Sequence, residues 1–267
     1  MFYNAKNKRI KLDNAYMDYI RFGTGEKTLI ILPGLGDGLR SVQGTAIPMA
    51  LMYRKFAKKF TVYAFSRKEP LASGCTTEDM ANDLNAAMDI LGIHKAHVLG
   101  VSMGGMIAQH LAIGYPDAVE KLVLAVTCPK SDAALVQSVS EWIDLAKQGS
   151  HTSLMDSNVK HIYSDKYYRR NKWLIPIAGL ISKPKSYERF LIQANACLTH
   201  DNYENLHRIA CPTLIIGGEQ DKVLSPDGSR MLAENIEDSL LYMYPDYGHG
   251  LYEEAADFID IVLNFLE

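Results

Sequence analysis

Several things are scarce in this sequence. Its 267 residues hold four cysteines, Cys75, Cys128, Cys197 and Cys211. These show neither CxxC spacing nor a dense framework, which argues for reduced, structural thiols in a cytoplasmic protein. There is no long run of Lys or Arg, and the net charge is −3. Nothing in that balance points to nucleic acid or an anionic membrane as partner. No apolar stretch accompanies the opening residues Met1 to Arg9, so no secretory leader is expected. The longest apolar run, Trp173 to Ile181, is too short to span a bilayer. Internal repeats and low-complexity segments are absent.

What remains is ordinary for a globular chain: 48% hydrophobic and 22% charged residues. That is enough for one large core, or a core carrying an insertion.

Strand and helix patterns alternate along the chain. Residues 8–22 read as a hairpin turning at Asp13-Asn14. Thr28 to Leu32 is a continuously apolar strand, as in a sheet buried on both faces. A helix is expected over Met49–Lys59, a strand over Thr61–Phe65 and a polar loop from Ser66 to Thr77. Met80, Leu84, Ala87, Met88 and Leu91 then recur at helical spacing behind a Thr76 or Thr77 cap. Further strands are expected at Val98–Ser102, running into a turn, and at Lys121–Thr127, Cys211–Ile216 and Ser239–Tyr244. Ser225-Pro226 opens a helix, and a closing helix carries Phe258, Ile261, Val262, Phe265 and Leu266 on one face. Strands alternating with helices predict an α/β fold with a mostly parallel sheet.

Residues 129–208 break this alternation. Helices are expected at Ala133–Lys147, Lys172–Ile181 and Tyr187–Leu198, with frequent aromatics and no strand of comparable quality. The segment reads as an inserted helical cap between core segments 1–128 and 209–267. His151 and His161 are expected to be exposed, and His110 to be a packing or surface histidine.

The chemistry concentrates in Gly100-Val101-Ser102-Met103-Gly104-Gly105. An apolar strand enters this stretch and a helical pattern leaves it, the setting of a nucleophile elbow. A serine in so sharp a turn needs neighbours with little side chain, and the helix start brings backbone N–H groups near developing negative charge. Pro33-Gly34-Leu35-Gly36-Asp37-Gly38 follows the Thr28–Leu32 strand. It fails as a dinucleotide fingerprint because Leu39 stands where the third glycine belongs. As an oxyanion loop it would offer the Leu35 N–H, paired with that of Met103. Asp221 and His249 also follow apolar strands. A serine needs a histidine base, and the histidine needs a carboxylate to hold its tautomer. Ser102, Asp221 and His249 supply those roles in that chain order, with Asp132 as a rival acid.

Taken together, these motifs and Gly248-His249-Gly250 resemble the α/β-hydrolase superfamily, in its small esterase, lactonase and haloperoxidase-like branch. The resemblance implies an eight-stranded sheet with one antiparallel strand, a lid between the sixth and seventh strands, and no cofactor or metal. This chain departs from many relatives at Pro33-Gly34, where His-Gly is common, and at Phe65-Ser66-Arg67-Lys68, where Asp-x-Arg-Gly is common. Serine at the elbow argues against haloalkane dehalogenase or epoxide hydrolase chemistry. The expected activity is hydrolysis of a small carboxylic ester through an acyl-enzyme. Lactone, thioester or C–C bond hydrolysis, perhydrolysis, or a non-enzymatic ligand-binding or signalling role are the alternatives. The expected partner is a small-molecule acyl substrate.

Overall fold

The computed structural model describes residues 2–267. The hairpin forms between β1 (Lys6–Leu12) and β2 (Ala15–Gly23). The buried strand β3 (Lys27–Leu32) ends in a short 3-10 turn over Leu35–Gly38. Two short helices, α1 (Ala46–Met52) and α2 (Arg54–Lys59), lead to β4 (Phe60–Glu69). Then come α3 (Thr77–Ile90), β5 (Ala96–Val101), α4 (Met103–Gly114) and β6 (Val119–Ala125). The helices α5 (Ala133–Lys147), α6 (His151–Ile162), α7 (Asp165–Asn171), α8 (Ile175–Ser182) and α9 (Glu188–Leu198) follow without an intervening strand. The alternation resumes with β7 (Thr213–Gly218), α10 (Pro226–Asn235) and β8 (Ser239–Tyr244), and ends with α11 (Leu251–Glu254) and α12 (Phe258–Leu266).

The eight strands make one sheet in the order β1-β2-β4-β3-β5-β6-β7-β8. β2 runs against both of its neighbours, and the pairs from β4 onward are parallel. The strand order reverses between β3 and β5, so the loops leaving these two strands diverge above one crevice. In open α/β sheets that crevice is where ligands bind. Apolar side chains cover both sheet faces. One layer buries Leu84, Met106, Leu111 and Leu232 from α3, α4 and α10. The other buries Ala50, Phe56, Phe258 and Val262 from α1, α2 and α12.

The Thr76 cap is present as a reciprocal pair. Asp79 N donates to Thr76 Oγ1 at 3.1 Å, and Thr76 N donates to Asp79 Oδ2 at 2.9 Å. Elsewhere the chain departs from expectation. The Met49–Lys59 helix begins earlier and is broken at Tyr53, whose ψ of 31° is non-helical. Tyr53 is buried there and stacks on Phe56. The polar loop expected from Ser66 is, as far as Glu69, a continuation of β4. It stays in the sheet because β2 pairs with it through Met17↔Lys68 and Tyr16↔Glu69. Two helices, α6 and α7, lie where none was expected. His151 is buried, not exposed, with Nε2 3.0 Å from Ser182 Oγ. His161 is half-buried and its Nδ1–H donates to Ser157 O at 2.8 Å.

Candidate active site

The turn between β5 and α4 bends at Ser102, with φ 54° and ψ −121°. A side chain other than glycine is uncommon there, and the strain is of order 1–3 kcal/mol. The bend requires bare backbone on both sides. A Cβ on Gly100 would lie 2.6 Å from Gly104 O, and one on Gly104 would lie 2.0 Å from Leu32 O. Neither oxygen belongs to a side chain that could swing away, so both positions demand glycine. A second strained residue lies alongside. Val126, at φ 45°, leaves β6 in a conformation that a β-branched residue rarely adopts. Thr127 then donates from Oγ1 to Ser102 O at 2.9 Å, and Ser102 N donates to Ala125 O at 2.9 Å. The elbow is thus held from the neighbouring strand.

His249 and Asp221 meet this serine. His249 Nε2 lies 3.0 Å from Ser102 Oγ, and His249 Nδ1 lies 2.8 Å from Asp221 Oδ2. The histidine and aspartate side chains are 5% and 4% exposed, so bulk water does not compete for their contact. Asp221 is itself held in place. Its Oδ1 accepts from the backbone N–H groups of Val223 at 2.8 Å and Leu224 at 3.0 Å. The rival acid, Asp132, is occupied elsewhere. Its Oδ1 accepts from Leu135 N at 2.7 Å as the cap of α5, and its Oδ2 accepts from Ser225 N at 3.0 Å.

The loop after β3 passes directly over the elbow. A Cβ on Gly34 would lie 3.3 Å from Ser102 Cβ. Among the described residues, no backbone carbonyl accepts from the N–H of Leu35 or of Met103. Met103 is also the first residue of α4, where the helix field favours negative charge. Met103 follows Ser102 in the chain, and Leu35 follows Gly34 on the loop after β3.

A cavity of about 470 Å³ opens above Ser102 and His249. Met49, Met52, Tyr53, Trp142, Ile162 and Tyr163 are among the residues that line it. Glu253 lies at its edge and accepts from Tyr163 Oη–H at 2.7 Å. Burial raises the Glu253 carboxyl above its ordinary range, with the Tyr163 hydrogen bond opposing it.

A sequence profile of the alpha/beta hydrolase fold family matches residues 27–256. The chain belongs to that family. It is 26% identical over 265 residues to a 2-hydroxy-6-oxononadienedioate/2-hydroxy-6-oxononatrienedioate hydrolase of Pseudomonas putida, covering 94% of this chain and 91% of that relative. It is also 26% identical over 212 residues to a pimeloyl-(acyl-carrier protein) methyl ester esterase of Chromobacterium violaceum, with 69% and 76% covered. Among solved structures, an enol-lactonase from Burkholderia xenovorans LB400 superposes with a TM-score of 0.81 at 21% identity, covering 97% of this chain and 99% of that one.

One group of site residues was not foreseen from the sequence. Asp37, in the turn after Leu35, is buried against Arg67 of β4 and Arg189 and Gln193 of α9. Asp37 Oδ2 accepts from Arg67 N at 3.2 Å and Gln193 Nε2 at 3.3 Å, and it pairs with the Arg189 guanidinium. Arg67 Nη2 donates to Pro33 O at 2.7 Å. Burial pulls the Arg67 guanidinium below its ordinary value, and the nearby Asp37 carboxylate offsets part of that. Arg67 was visible in the sequence only as the one residue matching a family motif. Its partner Arg189 is distant in the chain and carries no local signal.

Proposed function

We propose that this chain is a serine hydrolase that cleaves a small carboxylic ester through an acyl-enzyme. The supporting observation is the unbroken line of contacts from Ser102 Oγ to His249 Nε2 and from His249 Nδ1 to Asp221 Oδ2. His249 takes the Ser102 proton as Oγ attacks the acyl carbon, and returns it to the leaving alcohol. Water then attacks the acyl-enzyme with His249 again as base. Asp221 holds the imidazole tautomer and stabilises the imidazolium. The N–H groups of Leu35 and Met103 receive the oxyanion. No step calls for a cofactor or a metal. Residues 129–208 act as the cap that closes the acyl pocket.

The walls of the cavity favour an apolar acyl group over a dicarboxylate. Arg67 and Arg189 are spent on Pro33 O and Asp37, which leaves Arg40, among the described residues, as the single cation lining the cavity against the two carboxylates of a diacid. The relation to the Pseudomonas putida enzyme keeps C–C bond hydrolysis as the second reading, since the substrates in that enzyme's name are diacids that the same serine could process. Four free cysteines, with the thiols of Cys75 and Cys197 pushed up to about 11 and about 12 by burial, suit a reducing cytoplasm.

A panel of p-nitrophenyl esters of increasing chain length tests the reading. Turnover should depend on Ser102 and peak at a medium apolar chain. Turnover confined to diacid ketones would transfer the assignment to C–C hydrolysis.

A further inference from the structure

The helix α8 presents an apolar surface that the fold leaves uncovered. Its buried positions, Ile175 and Gly179, are one turn apart and seat it on α6. Gly179 permits the approach, because a Cβ there would come within 3.0 Å of Thr152 Oγ1. His151 Nε2 meets Ser182 Oγ at the far end of the helix. The other large apolar side chains face outward: Trp173 is 67% exposed, Ile177 53%, Leu180 80% and Ile181 82%. Single exposed apolar residues are normal, but these four recur at intervals of three and four residues and so share one face, the kind of contiguous apolar patch that marks an interaction surface.

The charge around the patch is one-sided. Between Lys166 and Lys185 the sequence carries Lys166, Arg169, Arg170, Lys172, Lys183 and Lys185 and no Asp or Glu, in a chain whose net charge is −3. All six are exposed. Among the described residues none of them takes part in an ion pair. They stand at both ends of the apolar helix, as in interfacial segments whose apolar face enters the acyl boundary while cations reach the headgroups.

We propose that α8 and its flanks dock this protein onto an anionic lipid surface. Trp173, Ile177, Leu180 and Ile181 enter the outer acyl region, and the six cations meet the phosphate headgroups. A second copy of the chain fits the patch poorly. A two-fold contact would set the same cations against their own counterparts. The whole-chain charge conceals this patch because the acidic residues lie elsewhere. Nothing in the proposal depends on the catalytic reading, since the docking face and Ser102 occupy different parts of the chain.

Flotation with phosphatidylglycerol-containing vesicles tests it, with pure phosphatidylcholine vesicles as comparison and Trp173 fluorescence as a second readout. The protein should float with the anionic vesicles, shift its emission to the blue, and release in about 1 M salt, where the screening length falls to about 3 Å. Leu180→Ser and Ile181→Ser should each weaken binding by about tenfold with an unchanged melting temperature. Lys183→Glu with Lys185→Glu should abolish the preference for anionic lipid. Absence of flotation, equal partition onto both vesicle types, or a solution dimer that Ile181→Ser dissociates would each overturn the proposal.

Discussion

Arg189 of α9 forms a buried ion pair with Asp37 of the loop after β3, and its Nη2 also donates to Arg67 O at 3.3 Å. The Asp37 side chain is fully buried and that of Arg189 is 12% exposed. One guanidinium thus joins the helical segment, the loop and β4. In the proposed mechanism the loop must hold the Leu35 N–H still while charge develops, and this pair is the tie that does so.

Removing the cation should therefore affect rate as well as stability. Arg189→Met leaves Asp37 buried without its partner, a loss of about 3–5 kcal/mol. The expected kinetic signature is a kcat lower by about 10–100-fold with little change in KM, since oxyanion stabilisation acts on the transition state. Adding Asp37→Asn to that variant should recover part of the stability. Steady-state kinetics and urea unfolding of the two proteins check both statements.

The acid of the triad can be separated from its rival. Asp221→Asn should lower kcat by about 10⁴-fold, through the wrong imidazole tautomer. Asp132→Asn should keep kcat within about threefold and cost about 1 kcal/mol as a weakened cap of α5. Kinetics of both variants decide the matter, and a reversed pattern would give the role to Asp132.

Gly104 is the residue on which the elbow turns. Gly104→Ala places a methyl 2.0 Å from the Leu32 carbonyl oxygen, so β3 or α4 must shift. The expected result is a melting temperature lower by several degrees and loss of turnover. Gly114→Ala, which meets nothing within 4 Å, should be neutral or stabilising. Thermal unfolding of the pair provides the measurement.

Acid should destabilise the fold through His200. Burial, with a smaller contribution from His110, pushes its imidazole down to about 3. Its Nδ1 lies 3.0 Å from Thr77 Oγ1. The unfolded chain binds a proton near the ordinary histidine value of about 6.5, while the folded chain resists it down to about 3. In that window the unfolded state holds more protons, so stability falls as pH falls. His97 and His151, both lowered by burial, act in the same direction. Urea midpoints between neutral pH and pH 4 should decline, and His200→Gln should flatten the decline.

The parts of this molecule that read directly from sequence are those governed by local rules. The Thr76 and Ser225 caps, the buried strands β3 and β5 and the elbow glycines all depend on neighbours a few residues away. The parts that did not read depend on remote partners. Ser66 and Arg67 look like loop residues, yet they extend β4 because β2 pairs beside them and Ser66 Oγ accepts from Val42 N at 2.8 Å. α6 escaped notice because its buried stripe is Leu154, Ser157 and His151, too polar for a hydrophobic period. The candidate triad was legible because each member follows a strand. The Asp37–Arg189 tie was not, because 152 residues separate its ends.

The central claim is that Ser102 is a nucleophile activated by His249. A fluorophosphonate probe followed by peptide mass mapping tests it most directly. The account predicts covalent labelling at Ser102 in the native protein, and loss of that label in Ser102→Ala and His249→Ala variants that still fold. A native, folded protein left unlabelled at Ser102, or labelled equally well in the His249→Ala variant, would contradict it.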